Sequence, residues 1–173
     1  MSARKKTKAI TFSGLTIALI VVMLFMASIV DVLDYTISAI CGIAVTFILI
    51  EFGTAPALSV YFGASILSLI LVPSKINAIL FIAFCGWYPF VKRVLERIRE
   101  PIGTLLKFIV FNIALTVIIA ISKAVFLFEN TSAIWYVLLY AVSNFTFLLY
   151  DLLITKLIHI YVYKYRKKFK FLR

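Results

Sequence analysis

This chain holds seven Asp and Glu, one His and two Cys, a sparse set for chemistry. Acid–base work inside a membrane would need two carboxylates brought together at depth. Only Asp151 lies deep within an apolar run, and no acid pairs with another at a useful spacing. His159 is alone, which excludes a multi-histidine metal site. It falls near the end of an apolar run, where an interfacial side chain with a buried stem is expected. Cys41 and Cys85 lie inside apolar runs and read as small buried side chains. There is no phosphate-binding lysine loop, no Gly-rich dinucleotide fingerprint and no H-E-x-x-H. The expectation is a protein that is not an enzyme, with no catalytic residue, no metal and no cofactor.

Polar side chains within the apolar runs carry more information, because such groups are costly in lipid and face the bundle interior. Asp151 is the foremost. A helix sets it about 140° from Lys156, so the two are poor partners. An Arg or Lys from the basic centre of the chain is the better candidate, and the pair reads as a buried ion pair or as an ion-coupling group. Asn144 lies seven residues before Asp151, on the same helix face. Asn112 occupies another run, and Asn77 opens a third. These amides read as interhelical hydrogen bonds or as the lining of a ligand cavity.

The elements that carry these residues follow from composition and charge. The chain of 173 residues is 64% hydrophobic and 14% charged, with a mean hydropathy of +1.12. A soluble domain of this size cannot hide so much apolar surface. Apart from Lys75 and Lys123, the basic residues fall in three clusters: Arg4–Lys8, Lys92–Lys107 and Lys156–Arg173. Positive residues beside membrane spans stay cytoplasmic, so all three clusters share one face. The fold expected is all-α, a polytopic membrane helical bundle of about six transmembrane helices with both termini inside.

Spans are expected at about 10–30, 37–51, 55–72, 76–91, 105–128 and 133–163, as one transmembrane domain. The second and fourth are short, roughly 15 residues against the ~20 that a crossing needs, so four crossings plus a re-entrant pair also fit. A cytoplasmic amphipathic hinge is expected at about 92–101, with Val91, Val94, Leu95 and Ile98 toward the membrane surface and Lys92, Arg93, Glu96, Arg97 and Arg99 opposite. Before it, Pro89 in Gly86-Trp87-Tyr88-Pro89 is expected to kink or end span four. The basic start and apolar run at the N-terminus resemble a secretory leader, but the run is long for one, and a retained first helix is expected. The net charge of +11 sits beside apolar runs, where it meets anionic lipid headgroups rather than nucleic acid.

At the outer rim stand Asp31, Asp34, Tyr35, Lys75, Asn77, Glu129, Asn130, Trp135 and Tyr136, with Lys123 nearby. They read as interfacial anchors or as a substrate-binding pocket open to the outside. In span one, Ala9 and Ser13, and Gly14 and Ala18, form two small-x-x-x-small pairs that let helices approach closely.

The layout resembles the substrate-binding S component of energy-coupling factor (ECF) transporters. The resemblance covers nearly the whole chain and is one of size, topology and first-helix style; no vitamin-specific signature accompanies it. It implies a bacterial inner-membrane subunit that binds a small, vitamin-like molecule and has no nucleotide site of its own. Its partners would be membrane lipids and a membrane partner with ATPase subunits. The resemblance also implies that Gly14 and Ala18, or Ala9 and Ser13, contact that partner, with Ser13 and Gly14 replacing the family's alanines. It puts the ligand beneath the loop that holds Asp31, Asp34 and Tyr35. The alternatives are a non-catalytic membrane scaffold or envelope protein, similar in size to the rod-shape factor MreD, and an independent small carrier.

Overall fold

The computed structural model describes residues 3–29, 34–98, 102–126 and 133–165. Among them every regular element is helical: α1 (Ala3–Ala27), α2 (Asp34–Glu51), α3 (Thr54–Leu71), α4 (Lys75–Leu80), a π-helical turn (Phe81–Cys85), α5 (Tyr88–Leu95), α6 (Ile102–Phe126), α7 (Ala133–Ile160) and a closing π-helical turn (Tyr161–Tyr165). The all-α expectation holds. Five stretches are long and apolar enough to cross a membrane: Lys6–Ala27, Thr54–Leu71, Asn77–Leu95, Ile102–Ala120 and Ile134–Lys164. The apolar part of α2, Thr36–Glu51, is shorter, as the sequence suggested.

Local chemistry explains where these helices stop. Gly53 joins α2 to α3 with φ 93° and ψ −171°, a region open essentially only to glycine. Val72 ends α3 in an extended conformation, as a residue before proline must. The Lys75 ammonium then reaches back to the carbonyls of Leu69 (2.7 Å) and Val72 (3.0 Å), which a helix end leaves without backbone donors.

The fourth crossing differs from expectation. It does not finish near Val91 at Pro89. Pro89 lies in the first turn of α5, where its missing N–H costs little, and the helix runs on to Leu95. The first residues of the expected hinge, 92–95, therefore continue α5 rather than start a separate helix, and turns follow to Ile98. Lys92 is not on a solvated face: it is 1% exposed. The reason is periodicity. Asn77, Phe81, Phe84, Tyr88, Lys92 and Leu95 recur every three or four residues and form one buried stripe. Val94 and Ile98 do stand exposed, as an apolar surface for lipid requires.

Backbone contacts cluster in two compact units, one over Met1–Arg93 and one over Val94–Lys167. In the first, Ile20, Leu24, Cys41, Val45, Ile48, Val60 and Phe81 form a shared core. Small residues on one face of α3 (Ala57, Ala64 and Ser68, all fully buried) let helices pack closely. Gly63 belongs to the same device: a Cβ there would lie 2.8 Å from Ile17 Cδ1 of α1. In the second unit, Gly103 lets the start of α6 approach the Leu95 and Ile98 carbonyls, which a Cβ would meet at 3.0 and 3.2 Å.

Much of the remaining surface is apolar. Ile10, Ile70, Ile134 and Val137 are each about 70% exposed or more. Side chains of this kind facing outward over whole helices need lipid around them. The chain is an integral, multi-pass membrane protein.

Candidate functional site: a polar seam between α6 and α7

Asp151, Asn144 and Tyr140 descend one face of α7 at helical spacing; on α6 Asn112 and Thr116 share a face, and Lys107, five residues before Asn112, stands about 140° round from it and reaches α7 by its long side chain. The two helices meet along these faces in layers. At one level the Thr116 and Tyr140 hydroxyls lie 2.8 Å apart, and the Thr116 hydroxyl also sits 2.7 Å from the Asn112 carbonyl. Next, Asn112 and Asn144 bond reciprocally: each Nδ2 donates to the other's Oδ1 at 3.0 Å. Each amide also donates to a carbonyl of its own helix, Phe108 and Tyr140 respectively, at 2.8 Å. Such reciprocal amides satisfy one another where lipid offers nothing.

An aromatic layer follows. Phe147 stacks on Phe111 with ring centroids 4.4 Å apart and 7° between planes, and meets Phe108 edge-on at 5.2 Å. Below it, Lys107 Nζ lies 3.3 Å from Asp151 Oδ2 and 3.9 Å from Glu96 Oε1. The Lys107 side chain is 8% exposed and that of Asp151 19%, whereas Glu96 is 39% exposed and keeps contact with solvent. The partner of Asp151 is thus a basic residue from the centre of the chain rather than Lys156. Chemically, the seam is a set of interhelical bonds that answer one another. Among the described residues no three His, Cys, Asp or Glu side chains gather to hold a metal ion.

The outer-rim residues fare differently. Asp31, Glu129 and Asn130 lie outside the described residues, and of Asp34 and Tyr35 only the helical backbone is described. Lys75 caps α3 as above, and Asn77 is fully buried; both belong to the first unit. Trp135 is 63% exposed and Tyr136 half-buried near the start of α7, in the second unit. The exposed indole fits an interfacial anchor.

The two small-residue pairs of α1 part company. Ala9 and Ser13 are buried in the first unit, whereas Gly14 and Ala18 face outward. A helix advances about 100° per residue, which groups Ala9 and Ser13 with Ile20, Leu24 and Ala27 and turns Gly14 and Ala18 to nearly the opposite side. Ala9 and Ser13 are therefore core residues, not surface available to a partner. Sequence reasoning did not single out Thr116, Tyr140 or Tyr61. Thr116 and Tyr140 had a signal, each being four residues from an asparagine. Tyr61 stands among apolar residues with none.

The protein so defined is an all-α, multi-pass membrane protein in which polar side chains, most of them partly buried, cross-link α6 and α7. Comparison of the chain with family models, with curated proteins and with solved structures finds no match.

Proposed function

We propose that this chain is a non-enzymatic subunit of a bacterial inner membrane, with both termini cytoplasmic, that binds a small molecule and works by docking to an ATPase-driven partner, in the manner of an ECF S component. The observation that carries this reading is the outward face of α1. Gly14 and Ala18 stand there among Leu15, Leu19 and Val22, and a Cβ built at Gly14 meets nothing within 4 Å. A notch of this kind lets another helix reach the backbone. The test is affinity purification from native membranes in mild detergent, with mass spectrometry of both proteins and small molecules. The wild type retains an ATPase-containing complex and a small-molecule ligand. Gly14→Leu/Ala18→Leu loses the ATPase and keeps the ligand. A wild-type preparation that brings down no ATPase counts against the proposal.

One observation favours a second reading, a non-catalytic membrane scaffold. The Asn112–Asn144 and Lys107–Asp151 contacts bind helix to helix and use these polar groups for cohesion. In that case the same purification returns envelope or wall-synthesis proteins and no small molecule.

A further inference from the structure

The fourth crossing is broken near its middle. α4 ends at Leu80, Phe81–Cys85 winds as a π-helical turn, and α5 restarts at Tyr88 within a crossing that runs from Asn77 to Leu95. The backbone ladder changes its spacing here. A π turn spaces its bonds more widely, and Pro89 has no N–H to offer the Cys85 carbonyl. One carbonyl here keeps a π-type backbone bond five residues on, and two are met by side chains. Phe81 accepts the Gly86 N–H at 2.7 Å, Ala83 accepts the Trp87 indole N–H at 2.5 Å, and Ile82 accepts the Tyr61 phenol at 2.9 Å.

Of these donors only Tyr61 comes from another helix, α3. Its ring also fills the space that the missing side chain of Gly86 leaves: a Cβ there would lie 2.6 Å from Tyr61 Cδ2. The same ring reaches Phe81 before the break (centroids 6.2 Å apart) and Phe90 after it (6.5 Å). One side chain therefore holds both arms and the carbonyl between them.

We propose that Phe81–Trp87 is a hinge in the fourth crossing and that Tyr61 is the latch that holds it. While the latch is closed, the Ile82 carbonyl is satisfied inside the membrane. When Tyr61 turns away, that carbonyl needs water or a ligand in its place, because lipid offers no donor. The hinge then has two discrete states rather than a continuous range of bends. The arms that it separates carry Asn77 at one end and Lys92 at the other, both buried. A subunit driven from outside gains in this break a defined place to bend. The inference stands on the first unit alone and does not depend on the docking partner proposed above.

The chain supplies its own reporters, because Cys85 lies in the π turn and Cys41 lies on α2. The experiment is alkylation of full-length protein in lipid nanodiscs with N-ethylmaleimide, resolved by mass spectrometry at each cysteine. Tyr61→Phe keeps the ring and removes the bond. Alkylation of Cys85 is expected to accelerate about three- to tenfold, the range set by one net hydrogen bond, with Cys41 at its wild-type rate. Gly86→Ala, which pushes the Tyr61 ring aside, moves Cys85 in the same direction. An unchanged Cys85 rate in a monodisperse Tyr61→Phe protein overturns the latch. Equal acceleration at both cysteines also overturns it, since that reports a loosened bundle. Hydrogen exchange on the wild type needs no variant: amides of residues 84–88 exchange ahead of those in the middle of α3. The reverse order removes the hinge.

Discussion

Replacing Lys107 with Met should destabilise the protein far more than replacing Lys107 and Asp151 together. The ammonium is 8% exposed and stands 3.3 Å from a carboxylate that is 19% exposed. Removing the cation takes the Lys107 counter-charge away from Asp151, and breaking one side of a buried pair costs about 3–5 kcal/mol. Glu96 takes little part in this cost, since it is 39% exposed and lies farther off, at 3.9 Å. For a chain of this length the loss corresponds to a melting point lowered by about 6–20 °C at 2–4 °C per kcal/mol. The Asp151→Leu variant leaves the ammonium only the longer contact to the half-exposed Glu96 and should also lose stability, by no more than the Lys107 variant. The double variant carries neither charge and replaces the pair with apolar side chains of comparable size, a change that is often neutral or stabilising. It should therefore melt within a few degrees of wild type. The assay is thermal unfolding in detergent followed by fluorescence-detected size exclusion, arranged as a double-mutant cycle. If the two single losses simply add in the double variant, the pair is not a cohesive element, and the account of the α6–α7 seam fails.

Three further outcomes follow from particular contacts. Asn112→Ala and Asn144→Ala should each cost about 1–2 kcal/mol, and the double variant little more than either, because each amide answers the other; chemical unfolding in mixed micelles reads this, and simple additivity would refute the reciprocal bond. Gly53→Ala should cost about 1–3 kcal/mol, since its φ of 93° with ψ −171° is strained for any residue with a Cβ; a wild-type melting point would show that the α2–α3 turn has another shape. Gly63→Leu should cost about 1–3 kcal/mol by forcing α1 away from α3, whereas Gly63→Ala meets only the flexible tip of Ile17 and should be milder; equal losses measured by thermal unfolding would refute the close approach.

Several elements were legible in the residues themselves. The apolar runs gave the helices because backbone polar groups in lipid must be satisfied within the helix, so length and hydropathy suffice. The short second run, the kinship of Asn144 with Asp151 and the need of Asp151 for a basic partner from the chain's centre were equally readable. The hinge was not. Lys92 next to Arg93 in a basic stretch looks solvated, but the inward stripe through Tyr88 and Leu95 carries it into the core. Pro89 looks like a terminator until the π turn ahead of it puts it in a first turn. The two small-residue pairs of α1 looked equivalent, and only the position of the neighbouring helices made one pair core and the other surface.

Hydropathy and local propensity act on each residue through its own side chain and near neighbours, so the sequence alone determined that this is a helical protein that lives in lipid, and roughly where each helix runs. Which basic residue meets Asp151, which face of α1 is open and which tyrosine holds the broken crossing depend on contacts between residues 20 or more positions apart, such as Tyr61 with Ile82 and Lys107 with Asp151. Those pairings are set by how helices pack and cross, a property of the assembled helices rather than of any one segment, and only the tertiary structure decided them.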